Sequence, residues 1–134
     1  MATSATPMGA EPTDTLSASG SFTGKVRHMK IASGYGTAIF YGDFVKLVAA
    51  GTVEKSAITT AVVAGTVGIF VGCSYTDPTS NQLTFNQQFP ASTAADDIMA
   101  YVVDDPDLVF RMQGDGSIAQ TGLGNNVSLV STAG

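Results

Sequence analysis

The sequence predicts an all-β fold, a small barrel or sandwich, and three observations carry that expectation. Gly is abundant at 15 residues, and Thr and Val are frequent while Lys, Glu and Leu are few, a composition that favours strands over helices. Apolar, β-branched and aromatic runs are short, and turn-forming residues interrupt them about every eight to twelve positions. No solenoid-length repeat runs through the 134 residues, a length that suits a single core.

Residues 1–20 are rich in Ala, Thr, Ser and Pro and contain one Leu, so they cannot bury much surface. They predict an extended N-terminal arm, either a disordered tail or a segment that orders by adding itself to a neighbour. The domain proper is expected over residues 21–134. A basic start and an apolar run are both missing from the arm, which argues against a secretion signal.

Residues 22–31 read as a first strand, ended by Gly34-Tyr35-Gly36. Residues 37–41 and 44–49 follow as two strands, with Gly42-Asp43 between them in the manner of a tight hairpin. Gly51 then turns the chain into Thr52-Val53-Glu54-Lys55. Residues 56–76 hold no charged side chain over 21 positions, a length that could span a membrane. Their Thr and Gly content and β-branched character instead predict two buried strands, 58–63 and 67–75.

Asp77-Pro78-Thr79-Ser80-Asn81 is composed of turn residues. Residues 82–89 alternate, placing Leu83, Phe85 and Gln87 on one face of a half-buried strand. Residues 92–97 fit a short capped helix, with Thr93 and Asp96 three apart, and fit a loop equally well. Residues 98–103 and 108–113 are two strands expected to be buried, flanking the acidic turn Asp104-Asp105-Pro106-Asp107, where Pro106 must break the ladder. Residues 117–123 predict one helical turn closed by Gly124, and residues 127–130 a last edge strand.

The charge pattern narrows the function. Only 13% of residues are charged, about half the usual share, so the surface rests on neutral polar side chains and suits a protein covered within an assembly. Residues 1–70 carry five basic and four acidic residues, whereas residues 71–134 carry Arg111 against seven Asp, a polarity able to orient neighbours. The acidic total disfavours nucleic-acid binding, and the cluster Lys25, Arg27, His28 and Lys30 has no interleaved aromatics. Cys73 is alone within an apolar run and reads as a buried thiol; with His28 the one histidine, Cys–His catalysis lacks a basis. The aspartates have no recognised ligand spacing, and no Ser lies in a nucleophile elbow. The chain is therefore expected to be neither an enzyme nor a metal or cofactor binder.

Four stretches carry a family resemblance. They are Thr37-Ala38-Ile39-Phe40-Tyr41-Gly42-Asp43-Phe44-Val45-Lys46-Leu47 with Gly51-Thr52-Val53, Gly68-Ile69-Phe70-Val71-Gly72-Cys73-Ser74-Tyr75-Thr76-Asp77-Pro78, Phe89-Pro90, and Ala100-Tyr101-Val102-Val103-Asp104-Asp105-Pro106 with Phe110 and Gln113. In order and spacing, from about residue 21 to 130, they resemble the capsid decoration, or cement, proteins of tailed-bacteriophage heads. The resemblance implies an SH3-like or β-tulip barrel on the outer surface of a virion, made in the host cytoplasm. It also implies a homo-oligomer, a trimer before a dimer, that bridges major capsid subunits and stabilises the head, its polar arm reaching over a neighbour. It implies no cofactor and no nucleic-acid or membrane partner. The residues expected at the capsid or protomer interface are Thr6, Pro7, Met8, Leu16, Phe22, Tyr35, Phe85 and Phe89. The alternative is a tail or fibre component binding a host receptor or glycan, with Tyr35, Tyr75 and Phe89 as exposed aromatic platforms.

Overall fold

Among the described residues eight strands form, where short β-branched and aromatic runs lie between turn residues. The computed structural model describes residues 9–17, 20–57, 64–114, 116–127 and 129. In chain order the strands are β1 (Glu11–Thr15), β2 (Arg27–Lys30), β3 (Phe44–Leu47), β4 (Val53–Lys55), β5 (Thr66–Thr76), β6 (Leu83–Asn86), β7 (Met99–Val103) and β8 (Leu108–Arg111), followed by a 3-10 turn at Gln120–Gly122. All pairings are antiparallel. The all-β expectation holds.

β5 is the axis of the larger sheet because its 11 residues are long enough to serve three neighbours. One edge pairs with β3 near its start and with β6 near its end, and the other edge pairs with β7. The order is β2-β7-β5-β3-β4, with β6 also on β5. Bulges fall between Phe70 and Gly72 and opposite Val45 and Lys46, where an extra β5 residue bends the strand. Gly68 sits where β5 passes closest to the end of β7: a Cβ there would overlap the Val103 carbonyl. A second close approach joins Gly9 and Gly42, both at positive φ, with the Ala10 N–H donating to the Gly42 carbonyl at 3.0 Å.

The main core cluster lies against one face of this sheet, while Ile69 and Val103 are buried on the other. Val45, Phe70, Cys73, Tyr75, Ala100 and Val102 point inward from the strands, and Ile31, Ile39, Phe89, Ala95 and Ile98 come from the irregular segments that cover them. Ile39 and Phe89 exchange main-chain hydrogen bonds of 3.1 and 2.7 Å, tying those two segments together. Every described buried side-chain polar atom has a partner.

Several expectations change. The described strands do not close a barrel: β2 and β4 end the sheet and do not meet. Residues 98–103 and 108–113 are not partners across the acidic turn. β7 stays in the large sheet while β8 pairs with β1, so residues 104–107 carry the chain from one sheet to the other, and β8 is half exposed. The strand β1 places residues 11–15 on the chain's own domain, so the arm does not extend to residue 20; residues 1–8 lie outside the described residues. Residues 37–41 make one bridge through Ile39 instead of a hairpin with β3. There the Asp43 carboxylate captures the Phe40 N–H at 2.9 Å, and the Asp43 carbonyl accepts from Phe70 N, which docks the turn on β5. Of residues 22–31 only β2 is a strand. Residues 92–97 form a loop, in which the Thr93 hydroxyl donates back to the Pro90 carbonyl. The strand expected at 58–63 lies outside the described residues, as do residues 128 and 130 of the strand expected at 127–130, where Val127 and Leu129 are not in a strand.

The turns at 49–51 and 77–82 form as expected. Val48 N donates to Thr52 O at 3.0 Å, and Asp77 N to Gln82 O at 2.9 Å, with the Asp77 carboxylate also holding Thr79 N. The turn near 117–123 is shorter than expected, spanning Gln120–Gly122, with Gly124 at positive φ behind it.

Candidate interaction surface

Residues directly opposite one another across a ladder share a face, so the registers define two sides of the large sheet. The inner side carries Met29–Ala100–Cys73–Asn86 and Tyr75–Thr84. The outer side carries Leu83–Thr76, then Phe85–Ser74–Met99–Lys30, then Gly72–Tyr101–His28. Its β6 end is open, with Leu83 63%, Phe85 69% and Met99 40% exposed, whereas the same side farther along β5 and β7 is covered at Ile69 and Val103.

This face has its own internal order. Gly72 is buried, and the edge of the Tyr101 ring lies 3.6 Å from where its Cβ would sit. Tyr101 then meets His28 with ring centroids 4.7 Å apart. At one border the Asp97 carboxylate accepts from Thr76 N at 3.0 and 3.1 Å and from Thr76 Oγ at 2.6 Å. Those bonds, the side-chain one foremost, hold its pKa below the ordinary value. The opposite border, along β2, carries His28 and the basic Lys30. The result is an apolar strip between a fixed carboxylate and a cationic edge.

The expected interface residues are scattered. Phe85 lies on the open face, on its edge strand β6. Leu16 follows β1, is 79% exposed, and donates its N–H to the Asp107 carbonyl at 2.7 Å. Phe22 is half-buried and lines a shallow recess with Thr15, Lys25, Asp105 and Leu108. Phe89 is fully buried, a correction to its placement at an interface: its ring stacks on half-buried Tyr35 at 6.2 Å inside the core. Tyr35 accepts from Lys55 N at 3.1 Å through its hydroxyl, and Tyr75 is 6% exposed, so neither is an exposed aromatic platform. Thr6, Pro7 and Met8 lie outside the described residues.

Sequence reasoning missed Leu83 and Met99 as surface groups. The alternation in 82–89 was the available signal, but it sorts residues onto two faces without saying which one is covered. Thr84 and Asn86, opposite Tyr75 and Cys73, take the inner side.

The remaining reactive side chains have structural uses. Asp104 pairs with Arg27 at 3.0 Å, and Asp105 caps the Asp107 N–H at 3.0 Å, as expected for a turn whose carboxylates hold backbone N–H groups or face a basic neighbour. Asp43 binds Lys55 at 2.9 Å while the ammonium lies over the Phe40 ring. Burial pushes the Cys73 thiol up to about 11, and it donates to the Gln88 carbonyl at 3.5 Å. Among the described residues no group of three or more His, Cys, Asp or Glu converges on a point where a metal ion could bind, and no helix is long and apolar enough to cross a membrane. Comparison with protein-family models, curated proteins and solved structures finds no match to this chain.

Proposed function

We propose that this chain is a structural virion protein, a decoration or cement protein that lies on the outer surface of a tailed-phage head and bridges major capsid subunits. The observation that carries the reading is the uncovered sheet face: a small domain that leaves Leu83, Phe85 and Met99 in water is suited to being laid on another surface. The low charge content and the family resemblance support the same role. Barrel closure of SH3-like or β-tulip type belongs to this proposal and requires a link between β2 and β4.

The mechanism follows from interface physics. A single small copy has little surface to offer, but a homo-oligomer touching several capsid subunits gains through effective concentration. Residues 1–8 would add main-chain hydrogen bonds to a neighbouring subunit. No chemistry is required of any side chain.

Purified protein mixed with decoration-free expanded heads should saturate their surface at hundreds of copies, and deletion of residues 1–8 should weaken that attachment while leaving the domain folded. Absence of binding to heads, or a handful of copies located at the tail, would reject the proposal. The tail or fibre alternative loses its platforms, because Phe89 and Tyr75 are buried.

A further inference from the structure

The outer edge of β6 differs from every other described edge. Strands that end a sheet in a monomer are guarded by charge, Pro or bulges. Here β1 carries Glu11, Pro12, Asp14 and a bulge; β2 carries Arg27 and Lys30; β4 carries Glu54 and Lys55; and β8 carries Arg111. β6, with the sequence Leu83-Thr84-Phe85-Asn86, has none of these, and no charged residue occurs between Asp77 and Asp96. Among the described strands it pairs only with β5.

We propose that β6 is a self-recognition edge through which two copies of this chain pair about a two-fold axis beside Thr84, joining their sheets. The register supplies the geometry. Asp77 N donates to Gln82 O, and the ladder continues through Tyr75 opposite Thr84 and Cys73 opposite Asn86. Bonding direction alternates along an antiparallel strand, so Gln82, Thr84 and Asn86 bond inward to β5, while Leu83 and Phe85 turn their N–H and C=O groups outward. A two-fold beside Thr84 sets Leu83 of each copy opposite Phe85 of the other, in two doubly hydrogen-bonded pairs on the open face. Thr84 then meets its own counterpart in the closer, non-hydrogen-bonded position.

The occupant is a second copy because the segment complements itself. Under a two-fold a strand meets its own reverse, and this one offers an aliphatic–aromatic pair in both directions. Its uncharged length lets two chains of net charge −5 approach without like charges in register. The inference is independent of the capsid reading, since it concerns the free protein.

Sedimentation equilibrium of the full chain at up to about 100 µM should give twice the 13.7 kDa chain mass. Phe85→Lys should raise the dissociation constant on the order of tenfold or more by removing two cross-strand pairs and setting a charge opposite each Leu83, with the far-ultraviolet spectrum unchanged. In a Cys73→Ser background, needed because Cys73 lies directly opposite Asn86 across the ladder, Thr84→Cys should form a disulfide-linked dimer under mild oxidation, whereas Asn86→Cys, displaced from its counterpart, should not. A monomer throughout, a trimer, an oligomer indifferent to Phe85→Lys, or equal cross-linking at positions 84 and 86 would each overturn the proposal.

Discussion

Replacing Phe89 by Ala removes a ring with no exposed surface from the point where two loop segments close over the sheet. The ring stacks on Tyr35, and its backbone forms the bridge to Ile39. The loss has two parts, the transfer free energy of the ring and the cavity left between Tyr35 and the sheet, together about 3–5 kcal/mol for a buried Phe. Against a total stability of about 5–15 kcal/mol this is a large fraction, equivalent to roughly a 10–20 °C fall in melting temperature for a chain of this size. Phe85→Ala, on the open face at 69% exposure, should cost within about 0.5 kcal/mol in the monomer. Urea unfolding followed by circular dichroism measures both, at low protein concentration so that association does not contribute. A Phe89→Ala cost below about 1 kcal/mol would refute the core assignment, as would equal costs at the two positions.

Gly68→Ala should destabilise the domain by about 1–3 kcal/mol, because the new methyl must displace the Val103 carbonyl at the β5–β7 crossing; unfolding curves that match the parent would contradict that packing. Asp97 should titrate below its ordinary value of 3.8 in a carboxylate-resolved NMR experiment. A lowered folded-state pKa means that its contribution to stability is present above the ordinary value and lost as pH falls through the lower one, so Asp97→Asn should flatten the acid limb of the stability profile. Cys73, with its pKa at about 11, should react with a disulfide reagent at pH 8 on the order of 100-fold more slowly in the native protein than after unfolding.

The local order was legible where turn chemistry and residue type agree. Asp77-Pro78-Thr79-Ser80-Asn81 forms its turn because the Asp77 carboxylate and carbonyl take up Thr79 N and Asn81 N within the turn itself. Cys73 was readable as a buried thiol from the apolar run around it. The acidic turn was readable in its local use, Asp105 capping Asp107, but not in its topology: the turn joins two sheets, and nothing near Pro106 specifies that β8 will choose β1. The candidate surface was half legible, since Phe85 was singled out for it while Phe89, four residues on and chemically identical, became core.

The sequence by itself determined that the chain is all-β, where most of its strands and turns fall, and that its charges are few and uneven. Those properties are set by backbone preferences and composition, which act within a few residues. Tertiary structure alone decided which face of β6 is covered, which strand β8 pairs with, and that β5 carries three partners. Those choices depend on registers between segments distant in the chain, and a one-residue shift in register moves every side chain to the opposite face. Leu83 and Phe85 are exposed for that reason: Tyr75 and Cys73 claim the inner side, and the ladder places Thr84 and Asn86 beside them.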